Sequence, residues 1–413
     1  MDFAPAGVGE RACPGSGGHR IGEAQTFKVL LAFTGEHIGG PGGSGPQADF
    51  LVRDAAGNLY GTTTYGGGGL SVCSIGCGVA YKLDTAGAET VLYTFAGPPA
   101  DAADSYAGLL PNAASNFDGT TCCGGTYNAG TVFTLDRTTG QETVLYNFMG
   151  GTDGSQPYSG LVQDEVGNLY GATTGGGLHG EGTVFEVDTT GQETVLYGFT
   201  GGVDGATPGA RLLRDEAGNL FGTTQYGGDL SCHTSGHSGC GVVFAVDSTG
   251  KEIVLHKFTG ADGSLPFAGL VQDAAGNLFG TTYEGGSDGQ GTVFKVDATG
   301  NETVLYSFKG GADGAKPYAG VVLDTAGNLF GTTYEGGDTS GFCSAYGGCG
   351  VVFKLDRTGL ETVLHTFTGQ DGLNPRGTLL PDEAGDLYGT ASSGGDLSAC
   401  GGKGCGVVFK IKL

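Results

Sequence analysis

Several residue groups in this chain have types and spacings that could do chemistry. A recurring loop reads Gly-Gly-x-Asp-Gly-x-x-Pro-Tyr or a close variant and carries Asp153, Asp204, Asp262, Asp313 and Asp371. Carboxylates beside backbone carbonyls are hard-oxygen ligands, so calcium is one reading. The spacing is not that of an EF-hand loop. The competing and preferred reading is an Asx turn, in which each Asp caps its own backbone before the proline. The run Cys232-His233-x3-His237-x2-Cys240 offers four zinc ligand types in nine residues. Arg211 and Arg376 stand out in a chain poor in arginine, and a guanidinium can grip a carboxylate or sulfate in two-pronged fashion. Asp118 takes a place where equivalent segments carry Tyr or Phe, so it needs a partner or water. Tyr106, Tyr158, Phe267 and Tyr318 follow the Asp-Gly loops and could stack on sugar faces, although packing is the commoner role of a repeated aromatic.

No Ser-His-Asp order, HExxH, GxSxG, P-loop or dinucleotide fingerprint occurs, so no catalytic residue, metal ligand or cofactor is assigned. Glu284 and Glu335, each after a Tyr, make an unconvincing glycosidase pair because they occupy equivalent places in successive repeats.

The elements that must position these residues are repeats. Gly-Asn-Leu-Tyr/Phe-Gly-Thr-Thr or a variant recurs seven times, its second glycine at Gly61, Gly119, Gly171, Gly222, Gly280, Gly331 and Gly389. A repeat this short cannot bury its own apolar face and must stack on its neighbours. Each repeat holds four short runs rich in Val, Leu, Phe, Tyr and Thr, too short for helices. Asp-x-x-Gly-Asn between the first two runs supplies the acceptor and the positive-φ residue of a tight hairpin. The pattern predicts an all-β, seven-bladed β-propeller of four-stranded antiparallel blades.

Ring closure follows from the ends. Phe27–Gly35 reads like a fourth strand, and the chain stops on a third strand, Gly406–Leu413. An N-terminal strand, residues 26–36, therefore completes the last blade and removes an exposed edge. An open β-solenoid would not need this complementarity and ranks second. Residues 1–25 read as a tail, and residues 26–413 as one domain.

These units, such as GLVQDAAGNLFGTTYEGG followed by GTVFKVDATGNETVLYSFKGG, resemble the tandem GloVer repeats of bacterial choice-of-anchor surface proteins. The resemblance covers residues 27–413. It implies an exported, envelope-associated propeller with no assigned reaction. The pattern departs from that family in lacking a C-terminal anchor, and residues 1–24 do not read as a signal peptide.

Composition agrees with an extracellular or cell-surface setting. Eight of the 11 cysteines form local pairs between second and third strands: Cys73/Cys77, Cys232/Cys240, Cys343/Cys349 and Cys400/Cys405. The third and fifth repeats lack both the pair and the extra loop residues, which reads as disulfides pinning inserted loops. A disulfide explains all four loops and zinc explains one. Cys13, Cys122 and Cys123 have no partner that spacing can name. The net charge of −24 argues against nucleic acid and anionic lipid, and no run is long enough for a membrane helix. The leading functional expectation is a non-enzymatic binding or scaffold propeller for a glycan or another envelope component, acting through its longer-loop face. The alternatives are a polysaccharide lyase or hydrolase using Arg211, Arg376 and Asp118, and a purely structural surface protein.

Overall fold

In the sixth repeat, Val322–Leu323, Leu329–Thr333, Val351–Leu355 and Glu361–Thr366 hydrogen-bond in that order as an antiparallel sheet. Six repeats share this layout, from an inner strand at the central channel to an outer strand at the rim. The computed structural model describes residues 25–35, 42–47, 49–67, 72–234 and 237–413. The N-terminal tail, residues 1–24, and with it Cys13, lie outside the described residues. The seventh blade pairs Leu380–Pro381, Leu387–Ser393 and Val407–Lys412, and Thr26–Ala32 supplies its outer strand. Phe27 lies opposite Ile411, and Ala32 opposite Val407. The ring closes as the two ends of the sequence required.

The recurring glycine has a steric cause. At Gly331 a Cβ would stand 2.7 Å from Cζ of Phe353 on the third strand, and at Gly171 2.6 Å from Phe185. The tip of each third-strand ring lies over the glycine of the second strand, which admits no side chain. That ring then meets an outer-strand phenylalanine of the preceding blade edge-on. Phe95–Phe133, Phe148–Phe185, Phe199–Phe244, Phe258–Phe294, Phe308–Phe353 and Phe367–Phe409 pair with centroids 5.0–5.4 Å apart. The last seam is closed by Phe33 against Tyr81 at 5.2 Å. Edge-to-face geometry adds about 0.5–1.5 kcal/mol per pair beyond burial. Thr62, Thr120, Thr223 and Thr281 donate hydroxyls to carbonyls of Ala107, Ser159, Ala268 and Ala319 on the next blade, tying seams that the aromatic pairs fill.

All four expected disulfides are present: Cys73–Cys77, Cys232–Cys240, Cys343–Cys349 and Cys400–Cys405. Each closes the loop between second and third strands, on the same end as the crossings between blades. Alkylation of denatured, unreduced protein should leave these eight cysteines unmodified and release them only after reduction. Eight or more labelled cysteines before reduction would refute the assignment.

Candidate functional site

Six of the seven crossings between blades carry a non-glycine residue in the left-handed region, Asp104, Gln156, Thr207, Leu265, Lys316 and Asn374, with φ between 55° and 58°, and the crossing into the first blade has Gly45 there at 63°. Such a conformation persists only where surrounding bonds impose it. The imposing bond is the same each time: the N–H of this residue donates to a loop carbonyl of the preceding blade, as in Gln156 to Ala129 and Lys316 to Gln290, both 2.8 Å. A proline follows in all but one, where Ser105 stands instead. This kink aims the next residue at the channel mouth, and those residues are Tyr106, Tyr158, Gly209, Phe267, Tyr318 and Arg376. The first blade contributes Gln47 after Pro46.

These seven positions line a cavity of about 260 Å³, joined by Asp49, Thr174, Thr207 and Gln225. Tyr106 and Tyr158 meet edge-on at 4.9 Å, and Phe267 and Tyr318 stack at 4.9 Å. Arg376 lies 4.9 Å from the ring centres of both Tyr318 and Tyr334. Its Nη1 donates to Gln47 Oε1 at 2.6 Å and its Nη2 to the Tyr334 hydroxyl at 3.2 Å, while its Nε is buried without a partner. The guanidinium is thus packed against two aromatic rings, its Nε closed off from the cavity and one N–H on each of Nη1 and Nη2 beyond the bonds named. Burial drives the Tyr106 and Tyr158 hydroxyls well above the ordinary tyrosine range, so both stay protonated donors.

One tier deeper the channel is plugged. The position there is glycine in four blades, Gly108, Gly160, Gly269 and Gly320, and becomes Phe50, Arg211 and Thr378 in the others. A Cβ on Gly160 would stand 2.8 Å from the Phe50 ring, and one on Gly108 2.7 Å from it. The glycines make room for Phe50, and the Arg211 guanidinium covers its ring at 4.2 Å. Arg211 Nε donates to the Leu161 carbonyl at 3.2 Å. Asp49 sits between plug and cavity. Desolvation raises its carboxyl pKa and the charge of Arg211 pulls it back. The result is a blind pocket with aromatic walls, the Arg376 guanidinium on one side and the Asp49–Arg211 pair beneath it.

Of the residues singled out from sequence, Tyr106, Tyr158, Phe267, Tyr318 and Arg376 converge on this cavity, with Arg211 beneath it. Asp118 does not reach it. It is buried, takes two bonds from Asn112 Nδ2 at 3.0 and 3.2 Å, and faces the tight-turn end. In the first, third and seventh blades a strand Tyr hydroxyl donates to a turn Asp at the same place, as Tyr170 does to Asp164 at 3.1 Å. The second blade has exchanged donor and acceptor. The five crossing acids are likewise occupied. Asp153, Asp204 and Asp313 accept from the outer-strand hydroxyls of Tyr146, Tyr197 and Tyr306 and from loop N–H groups. Asp262 and Asp371 bond His256 and His365 instead, at 3.0 and 2.9 Å. Each acid is tied to its own blade, so the five do not converge on a common point. Glu284 is bound by Lys316 Nζ at 2.9 Å.

Sequence reasoning missed Gln47, Asp49 and Tyr334. The signal for Asp49 was legible: from Pro46 to Leu51 is one residue longer than from Pro157 to Leu161. That extra residue delivers a carboxylate to the channel. A wider cleft of about 890 Å³ between the first and last blades is lined mostly by glycine and small side chains and has no comparable set of polar groups.

Residues 19–236 and 231–413 match the model of the Gloeobacter/Verrucomicrobia repeat. No curated protein matches the chain in sequence. Among solved structures, an oligogalacturonate lyase in complex with manganese is similar at a TM-score of 0.56 and 13% identity, over 94% of this chain and 96% of that one. An extracellular domain assigned to a hybrid two-component system of B. thetaiotaomicron is similar at a TM-score of 0.53 and 11% identity. The match covers 93% of this chain and 41% of that domain, so this chain spans about two fifths of its length. Similarity at these identities establishes the propeller fold alone.

Proposed function

The chain belongs to the Gloeobacter/Verrucomicrobia repeat family, and from that premise we propose an extracytoplasmic, non-catalytic recognition propeller that seats one sugar ring of a glycan at its channel mouth. The observation that carries this reading is the convergence of four aromatic side chains and the Arg376 guanidinium on one cavity. Aromatic faces take the apolar face of a sugar ring, and the remaining Nη N–H groups of a guanidinium take a carboxylate. The favoured ligand is therefore a uronic acid or another acidic sugar. At about 260 Å³ the cavity falls just below the ~300 Å³ lower end for drug-sized ligands, which suits one ring rather than several. The net charge of −24 disfavours a long polyanion along the surface and favours engagement of a chain end. Four disulfides support a location outside the reducing cytosol.

A glycan array probed with the oxidised protein, with and without calcium, tests this. Saturable binding to a set of acidic sugars is expected. Arg376→Gln should weaken it about tenfold or more, since hydrogen bonds to a charged group contribute ~1.5–3 kcal/mol. Silence across the array, or equal binding by the variant, would reject the reading. A calcium requirement would return the crossing acids as ligands.

The asymmetric pair of Asp49 and Arg211 on the floor favours a second reading, a lyase or hydrolase acting on a polysaccharide. Product analysis by mass after incubation with the bound glycan separates the two: shortened or unsaturated products mean catalysis, and an unchanged glycan means recognition.

A further inference from the structure

The second blade departs from the repeat at three positions that the fold brings together. Where other blades carry Thr-Tyr, Thr-Gly, Gln-Tyr, Tyr-Glu or Ser-Ser after the second strand, it has Cys122-Cys123. Where other crossings carry Gly, Gln, Thr, Leu, Lys or Asn at the left-handed position, it has Asp104. Eighteen residues separate Asp104 from Cys122 in the chain. Yet one carboxylate oxygen and the two Sγ atoms all lie within 4.8 Å of one another. The two Sγ atoms are 3.2 Å apart, and among the described cysteines these are the two outside disulfides.

We propose that Asp104, Cys122 and Cys123 form a binding site for a thiophilic divalent cation of the zinc class. Two thiolates and one carboxylate are three ligands of the kind such an ion takes, and a fourth position completes a tetrahedron. Burial divides the roles. Cys122 is buried, while Cys123 and Asp104 line a cavity of about 360 Å³ that opens the fourth position to water or a ligand. The backbone of Asp104 is fixed at both ends: its N–H donates to the Cys77 carbonyl at 2.9 Å and its carbonyl accepts from Cys122 N–H at 3.3 Å. The carboxylate is therefore presented by a rigid kink, and the Cys77 that holds it is itself locked by a disulfide. The Tyr158 hydroxyl of the neighbouring blade interacts with Cys122.

The protons are accounted for as follows. Thiolates are the ligands, so binding one dication releases up to two thiol protons to solvent and affinity falls as the pH is lowered. No oxidant or reductant takes part. The site lies beside the channel-mouth cavity, where Tyr106 and Tyr158 form the wall, but it does not depend on the glycan reading.

Cd²⁺ titration of the full chain, purified without reductant and then stripped with chelator, tests the proposal. The expected result is a thiolate-to-metal charge-transfer absorption that saturates at one ion per chain. It should be absent from the Cys122→Ser/Cys123→Ser variant. Asp104→Asn keeps a residue that tolerates the left-handed region, so it should melt like the parent while binding on the order of tenfold more weakly. Three outcomes overturn the proposal: no charge-transfer band, an undiminished band in the double-serine variant, or mass mapping that finds Cys122 and Cys123 already oxidised to each other or to Cys13.

Discussion

A chain beginning at residue 36 should melt about 10 °C or more below one beginning at residue 25. The shorter chain lacks Thr26–Ala32, which supplies the outer strand of the seventh blade and pairs with Val407–Lys412. It also lacks Phe27, stacked on His365 at 3.6 Å and packed against Phe409 at 5.4 Å, and Phe33, which is 1% exposed against Tyr81. Truncating one buried phenylalanine costs about 3–5 kcal/mol, and here the buried Phe33 and the partly buried Phe27 are lost with six ladder positions. The bared third strand becomes an unpaired edge, so the shortened chain should also associate with rising concentration. Phe33→Ala isolates the seam from the ladder and should account for a substantial part of the shift. Equal melting of the two chains, by calorimetry, would mean that the ring is not held by this strand.

A melting temperature that falls as the pH rises from about 5 to about 8 is the second expected result. Glu142, Glu193, Glu252, Glu302 and Glu361 each open an outer strand, and each has one carboxylate oxygen buried without a partner. Desolvation pushes all five up to about 7. A crossing acid of the preceding blade adds to the shift: Asp101, Asp153, Asp204, Asp262 and Asp313 in turn. At Glu302, His256 opposes it. A carboxyl raised in the folded state binds its proton more tightly there than in the unfolded chain. Its contribution is therefore complete below the unfolded value near 4.5 and is lost as the pH passes the folded value near 7. At the acid end the sign reverses. Asp54 is lowered to about 2, and Asp164, Asp204 and Asp273 are lowered by turn and strand donors, so their stabilisation disappears as the pH falls below about 4. Stability should peak between those limits. Because the glutamates are about half-buried, screening reduces each effect, and five together should move the midpoint by about 5 °C. The quintuple Glu→Gln variant should flatten the alkaline slope and melt higher than the parent at about pH 8. An unchanged slope would show that the seams do not titrate.

The blades, the closing strand and the four disulfides were all readable because repetition makes errors visible. Seven copies of one glycine can be aligned by eye, and a cysteine pair that comes and goes with its loop declares its partner. The site was legible only where a residue type was odd against its equivalents. Arg376 and Arg211 were found that way. What stayed hidden were contacts made by the crossings: the hydroxyl of Tyr146 reaching Asp153, the ring of Phe50 lying across Gly108 and Gly160 of other blades, and Asp104 meeting Cys122 and Cys123. Such contacts depend on how far each crossing carries the chain around the axis, a quantity that no local pattern encodes. Asp118 misled for a related reason. It stood out as an acid among aromatics, but its compensation, Asn112 in place of the turn Asp, lies six residues upstream and is visible only once the two are seen to touch.

The kink in each crossing separates what must stay from what is free to change. Its backbone bond uses no side chain, and so Asp, Gln, Thr, Leu, Lys and Asn all occupy the same left-handed position. Two residues further on, the mouth holds Tyr, Tyr, Gly, Phe, Tyr and Arg on equally uniform supports. The propeller thus behaves as a socket with interchangeable contacts. Selection can rewrite the chemistry of the mouth one blade at a time, with no new loop and no disturbance of the aromatic seams. A library randomised at Tyr106, Tyr158, Gly209, Phe267, Tyr318 and Arg376 would sample new specificities on a scaffold already committed to folding.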